Sequence, residues 1–236
     1  VEIGYQGKKL EELEGLSATE KAKMLFIVQD PYTSYYDAKV VRDFVALTQK
    51  LGFSPIILPF KPNGKAMHIK GFLARFSKTA KTQAEFLNRV AKLNVPLVGV
   101  DSAIVLSYRD EYKEALGDSR GDFHVLTAHE WLTNQLESNT LQSAVKNIAK
   151  SDRTFEWHLF PHCTESTFMP NSPKEWQHIF AQFGQTLNVE KVGCCGMAGV
   201  FGHEVQNQTM SKEIYDVSWG KKLQGKDPNH CLATGY

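Results

Sequence analysis

Apolar residues fall into two alternating patterns along the chain. Met24-Leu25-Phe26-Ile27-Val28 is an unbroken apolar run, the mark of a strand covered on both faces. Val40, Val41, Phe44, Val45, Thr48 and Leu51 then recur at helical spacing, with Asp37 placed to cap the helix and Gly52 to stop it. Ile56-Ile57-Leu58, set between Pro55 and Pro59, predicts the next strand. A long helix is expected over about 71–93, and Leu97-Val98-Gly99-Val100 predicts a third strand. Val125 and Leu126 mark another strand, with one or two helices over the rest of 123–150. From Phe155 the plan repeats. Residues 155–160 read as a strand, and Ser172-Pro173-Lys174-Glu175 reads as a capping box with Pro at the first helical position. Trp176, Ile179, Phe180, Phe183 and Leu187 form one face of the helix it opens. A short strand over 190–193, a helix over about 203–223 and a strand over 230–234 complete the expectation. Residues 10–23 read as a short polar helix or linker.

Aligning the halves sets Asp30-Pro31 against His162-Cys163. Ala66-Met67-His68 then falls against Cys194-Cys195-Gly196, three residues before Gly71 and Gly199 respectively. Strand–helix–strand units imply parallel strands joined by right-handed crossovers. The expected fold is therefore α/β, with two pseudo-repeated strand–helix units and mainly parallel sheets in Rossmann-like lobes. The expected boundaries are a linker or polar helix at 1–23, a first repeat at 24–122, a connecting segment at 123–154 and a second, cysteine-bearing repeat at 155–236.

Charge narrows the partners. Across 236 residues, 27 Lys+Arg balance 26 Asp+Glu, for a formal net charge of +1. That balance argues against nucleic acid or an anionic membrane as the main partner. Hydrophobic content of 42% is ordinary for a globular chain, and no apolar stretch reaches the roughly 18–20 residues that span a bilayer. The polar, acidic start has no signal-peptide character. Because the chain opens on Val1 and stops within an expected strand, Leu232-Ala233-Thr234-Gly235-Tyr236, we expect a piece of a longer protein.

The chemistry concentrates in the cysteines. All four, Cys163, Cys194, Cys195 and Cys231, lie in the last third of the chain. A disulfide between the neighbours Cys194 and Cys195 would close a strained ring, so the thiols are read as reduced metal or cluster ligands in a reducing compartment. In open parallel sheets, sites form beyond the carboxyl ends of strands. Cys163 and the Cys194-Cys195 pair both fall there, and Gly193, Gly196 and Gly199 leave room for a bulky inorganic core with backbone N–H groups facing it. Zinc held by three cysteines, with His162 or His203 as fourth ligand, is an open alternative, although no C-x-x-C knuckle is present. His162 is read first as a local hydrogen-bonding residue, and His203-Glu204 as a helix start near the glycine loop that could support the ligands from behind. Glu165 is a weaker candidate for the same support. Cys231 is read first as a buried strand residue and second as a fourth ligand. The series Gly196-x-x-Gly199-x-x-Gly202 lacks the lysine of a phosphate loop, and no H-E-x-x-H, G-x-S-x-G or Walker sequence occurs. The basic residues over 61–81 read as a solvated helix face or a docking surface.

Three segments carry a resemblance: Pro161-His162-Cys163-Thr164-Glu165-Ser166, Gly193-Cys194-Cys195-Gly196-Met197-Ala198-Gly199-Val200-Phe201-Gly202-His203-Glu204, and Leu232-Ala233-Thr234-Gly235-Tyr236. Together they resemble the cysteine-rich CCG domain of glycolate oxidase iron–sulfur subunits, anaerobic glycerol-3-phosphate dehydrogenase subunits and heterodisulfide reductases. The long form is most similar to the C-terminal part of fused, FAD- and iron–sulfur-containing D-2-hydroxyacid dehydrogenases of the D-lactate and D-2-hydroxyglutarate type. The resemblance spans about 24–236 and is tightest over 155–236. It implies that Cys163, Cys194 and Cys195 bind a 4Fe–4S-type cluster. It also implies an FAD domain elsewhere in the same polypeptide as partner and a downstream electron acceptor; the expected location is cytoplasmic, with peripheral attachment to the inner face of the membrane as the alternative. Nothing in this chain resembles an FAD site, so the chain alone is expected to lack dehydrogenase activity. The family places a further Cys near the end of the last strand, where this sequence has Gly235. A ligand beyond Tyr236 is therefore preferred over Cys231. The alternative function is a zinc-binding or metal-free docking module. Direct thiol chemistry ranks last, because the first repeat has Asp30 and Met67 where cysteines would stand.

Overall fold

Every residue of the run Met24–Val28 is buried, and it forms β1, the second strand of a four-stranded parallel sheet. A computed structural model describes residues 10–138, 141, 144–145 and 155–235. The chain divides into two compact units at Trp131 and Leu132.

The first unit opens with two short helices, α1 (Leu10–Glu14) and α2 (Ala18–Lys21), the second started by a capping box between Ser17 and Glu20. After β1 come α3 (Pro31–Tyr35), α4 (Ala38–Lys50), β2 (Ser54–Ile57), α5 (Lys65–Ile69) and α6 (Leu73–Ala91). Then follow β3 (Leu97–Gly99), α7 (Ser102–Arg109), α8 (Glu111–Leu116), β4 (Val125–Thr127) and α9 (Ala128–Glu137), which runs across the division. The strand order is β2-β1-β3-β4, all parallel. α4 buries Val41, Phe44 and Thr48, and α6 buries Phe76, Ala80, Gln83, Ala84, Leu87 and Val90, the 3.6-residue stripe of a helix lying on a sheet. Asp37 does precede α4, but its side chain makes no capping bond. β4, from the segment expected to connect the repeats, extends this sheet beyond β3.

The second unit carries β5 (Glu156–Phe160), α10 (Cys163–Phe168), α11 (Ser172–Gln182), β6 (Thr186–Val189), α12 (Gln208–Val217), α13 (Trp219–Leu223) and β7 (Cys231–Ala233). Its strand order, β6-β5-β7, is again parallel. The two sheets share a stagger. The first residue of the central strand faces the first residue of the second strand, as Met24 faces Ser54 and Glu156 faces Thr186. The third residue of the central strand faces the start of the third strand, as Phe26 faces Leu97 and His158 faces Cys231. This is the α/β pseudo-repeat read from the sequence, now fixed residue by residue.

Three local expectations are corrected. The strand expected at 190–193 lies over Thr186–Val189, because Leu187 faces the core there instead of extending the apolar face of α11. Ser172 is inside α11, whose cap is Asn171; its hydroxyl is drawn to the buried carboxylate of Glu165, so the capping box does not form. The helix expected over about 203–223 is broken. Two short 3-10 turns, Phe201–His203 and Val205–Asn207, precede α12, and a break at Ser218 separates α12 from α13. No helix among the described residues is long and apolar enough to cross a membrane.

Candidate functional site

Cys163 begins α10, three residues beyond the end of β5 at Phe160. The turn is set by His162, the cap of α10, whose Nδ1 accepts from the Thr164 N–H at 3.2 Å. The His162 backbone N–H donates to Thr234 Oγ1 at 2.9 Å, stitching the end of β5 to the end of β7. Gly235 passes against the His162 ring: a Cβ there would lie 2.7 Å from His162 Cδ2. Behind the turn, Glu165 is fully buried, accepting from the Ser172 hydroxyl and from Trp176 Nε1 at 3.2 Å. This carboxylate locks α10 to α11 and so fixes the direction in which Cys163 leaves the sheet.

The vicinal pair lies in the loop after β6. Gly193 is clamped on both sides of its backbone: its N–H donates to Ser218 Oγ at 2.7 Å and its carbonyl accepts from Trp219 Nε1 at 3.1 Å. The helix break at Ser218 is what turns both side chains toward the loop. Trp219 in turn packs on Phe160 at the end of β5, with ring centroids 5.1 Å apart. The loop then tightens at Gly196, where φ is +89° and an added Cβ would fall 2.2 Å from the Ser211 carbonyl oxygen. Ser211 Oγ donates to the Gly196 carbonyl at 2.9 Å, and the Gly196 N–H donates to Cys194 Sγ at 3.3 Å.

Burial pushes the Cys195 thiol up, the Met197 N–H pulls it the other way, and the charges of Cys194 and Cys163 push it up further. Cys163 and the vicinal pair thus lie within electrostatic reach of one another, though they come from the ends of different strands. All four thiols are free of disulfides and half-buried. Among the described residues no three His, Cys, Asp or Glu side chains converge closely enough to hold a single metal ion. A multi-iron core takes thiolates spread around its faces. Three half-buried thiols, a glycine that excludes any side chain, and N–H groups directed at sulfur suit such a core.

The remaining candidates sit differently. Cys231 starts β7, at the opposite end of that strand from Gly235. Its Sγ donates to the Asp227 carbonyl, and burial, Lys226, Asp227 and Glu190 set its protonation, with no other cysteine among them. His203 closes a 3-10 turn, and Glu204 Oε2 accepts from Gln206 Nε2 and Asn207 Nδ2, bracing the loop from outside. In the first unit Asp30 caps α3 and Met67 lies on α5. Ser211, Ser218 and Trp219 shape the loops but carry no sequence signal, since each acts on backbone distant along the chain.

No family model matches the chain, and no solved structure matches it. Curated proteins do. It is 81% identical, over all 236 residues, to D-2-hydroxyglutarate dehydrogenase of Haemophilus influenzae. The chain is similar to one stretch of D-2-hydroxyglutarate dehydrogenases. Identity to the Escherichia coli K12 enzyme of that name is 56% over 227 residues, 96% of the chain. The chain spans 23% and 22% of the length of these two dehydrogenases. It is also 25% identical over 194 residues, 78% of the chain, to a subunit of the anaerobic glycerol-3-phosphate dehydrogenase of Escherichia coli K12, spanning 46% of that polypeptide.

Proposed function

We propose that this chain is the iron–sulfur electron-transfer part of a flavin-dependent 2-hydroxyacid dehydrogenase acting on D-2-hydroxyglutarate. The observation that carries the reading is that Cys163 and the Cys194-Cys195 pair leave the C-terminal ends of two neighbouring parallel strands, β5 and β6. The similarity to D-2-hydroxyglutarate dehydrogenases supplies the substrate class. In this reading Cys163, Cys194 and Cys195 hold a 4Fe–4S-type cluster, which when bound passes single electrons from FAD on another domain of the same polypeptide to an acceptor.

The chain's own residues do the positioning. The clamp of Ser218 and Trp219 on Gly193 fixes where the vicinal pair emerges, and the Glu165 lock fixes Cys163. The Gly196 N–H donates to Cys194 Sγ, and the Met197 N–H favours the charged form of Cys195 against the burial that opposes it. The half-burial of the thiols keeps bulk water from their inner faces while leaving one side open to a partner domain.

Anaerobic reconstitution of the chain with iron and sulfide is expected to give broad visible absorption and close to stoichiometric cluster iron. Both are lost in Cys163→Ser and Cys195→Ser but retained in Cys231→Ser. Retention of full iron content in Cys195→Ser would overturn the reading, as would stoichiometric zinc without iron in anaerobically isolated protein.

A further inference from the structure

Basic residues crowd one stretch of the first unit. Residues 61–92 hold eight of the 27 Lys+Arg of the chain and one of its 26 Asp+Glu, Glu85. A chain of net charge +1 thus gathers a surplus of seven positive charges there, and its remainder is net negative. On α6, Arg75, Lys78, Thr82, Glu85 and Arg89 are exposed at alternating three- and four-residue steps, which sets them along one helix face. Lys92 continues the row and Lys81 lies alongside it, both exposed. Lys61 Nζ and the Arg89 guanidinium both stand over the Phe86 ring, 5.1 and 5.8 Å from its centroid. Among the described residues the ion pairs of the first unit join Lys39 to Asp43, Lys65 to Glu111 and Arg109 to Glu130, so none reaches the row on α6.

At the N-terminal end of this row stand three exposed apolar side chains, Ile69 at 37%, Phe72 at 55% and Leu73 at 59% exposure. Backbone geometry holds them out. Gly71, at φ +76°, stops α5. Its N–H donates to the His68 carbonyl and the Phe72 N–H to the Met67 carbonyl, each at 2.9 Å, the two bonds of a left-handed helix stop. Phe72 then precedes α6, and its carbonyl accepts from the Phe76 N–H at 2.9 Å. The Arg75 guanidinium lies 5.6 Å from the centroid of the Phe72 ring. Apolar groups exposed beside a polar rim mark interaction sites, and aromatic side chains and arginine are the residues that dominate protein–protein contacts.

We propose that this face of the first unit docks onto an acidic protein surface, recessed to take Phe72 and Leu73, on the part of the longer polypeptide outside this chain. The inference rests on the reading of the chain as one part of a dehydrogenase, since it spans only 23% and 22% of the similar D-2-hydroxyglutarate dehydrogenases. Charge complementarity sets the sign of the partner. The size of the anchor sets its source. Three apolar side chains are few against the roughly 20–30 residues a side of a stable free complex, but they suffice for a tethered partner, whose effective concentration is of the order of mM. A bilayer fits less well. The apolar stripe of α6, from Phe76 to Val90, is buried, so beyond Leu73 the helix has only its polar face to offer lipid. Glu85, in the middle of that face, opposes anionic headgroups but is readily met by a cation on a protein.

The test is carbodiimide cross-linking of the whole dehydrogenase polypeptide at low ionic strength, which joins a lysine amine directly to a carboxylate. The products are mapped by mass spectrometry on a mixture of isotopically light and heavy protein. Lys78, Lys81 and Lys92 are expected to join Asp or Glu side chains outside this chain, light to light and heavy to heavy. The double variant Phe72→Ser, Leu73→Ser is expected to lower that yield by about fivefold or more, and about 0.5 M salt to lower it as well. Both side chains are exposed, so the variant keeps its fold. Its iron uptake on reconstitution is expected to be unchanged, which separates failure of the docking face from failure of the cluster reading. Cross-links that stay within this chain, none at all, or links of light to heavy protein would overturn the inference, as would an unchanged yield in the double variant. Sedimentation of the polypeptide with phosphatidylglycerol vesicles, lost in that variant, would assign the face to a membrane and overturn it too.

Discussion

Gly196 is the least replaceable position of the cysteine loop. Its φ of +89° lies where side chains are strained, and the Ser211 carbonyl occupies the space a Cβ needs. Gly196→Ala is expected to cost about 2 kcal/mol or more of second-unit stability, measured by urea unfolding, and to lower iron uptake as Cys194 and Cys195 move. Two positions on, Ala198 holds φ of +42° with a side chain in place. Ala198→Gly is expected to relieve that strain and raise stability by about 0.5–1 kcal/mol in the same measurement. A loss of stability would mean that the Ala198 methyl packs usefully enough to outweigh its backbone.

Among the elements, α9 shows how one carboxylate can organise a strand end. Thr127 and Glu130 exchange the reciprocal bonds of a capping box, and Arg109 of α7 grips both Glu130 oxygens while donating to the Val125 carbonyl. Burial pushes the Glu130 carboxyl up, but the bonds from Arg109 and Thr127 more than reverse it, so it ionises below its usual 4.5. The stability it adds is therefore complete above about pH 4.5 and fades as pH falls through the lower folded-state value. Glu130→Gln is expected to cost about 1–2 kcal/mol at neutral pH and to flatten the acid limb of first-unit stability. An unchanged acid limb would remove Glu130 from its cause. The strands were legible because parallel strands covered on both faces leave continuous apolar runs, as Met24–Val28 does. Strand–helix alternation likewise places Cys163 and Cys194 beyond strand ends. Other features were not legible because side chains decide them across the fold: Glu165 took Ser172 from its expected cap, and Ser218 broke the last long helix to reach Gly193.

The two units differ in how much core supports them. The first buries the whole of β1 and the inner face of α6, along with Tyr108, Tyr112 and Trp131. Among the described residues of the second, the buried apolar side chains are Leu132, Leu141, Val145, Leu159, Phe160, Ile179 and Leu187. Less buried apolar area means less stability. Calorimetry of the metal-free chain is accordingly expected to show two transitions, with the second unit unfolding first. Reconstitution with iron and sulfide should raise that transition alone, by about 5 °C or more, because a centre bound only by the folded unit adds its binding energy to folding. A single transition unaffected by reconstitution would contradict both expectations. The strand lengths have a further consequence. The five-residue strands β1 and β5 are interior, while the strands that border each sheet, β2, β4, β6 and β7, have only three or four residues. A border that short offers a colliding molecule too few open amides to template a growing fibre, so the protein should resist amyloid-like polymerisation even when concentrated.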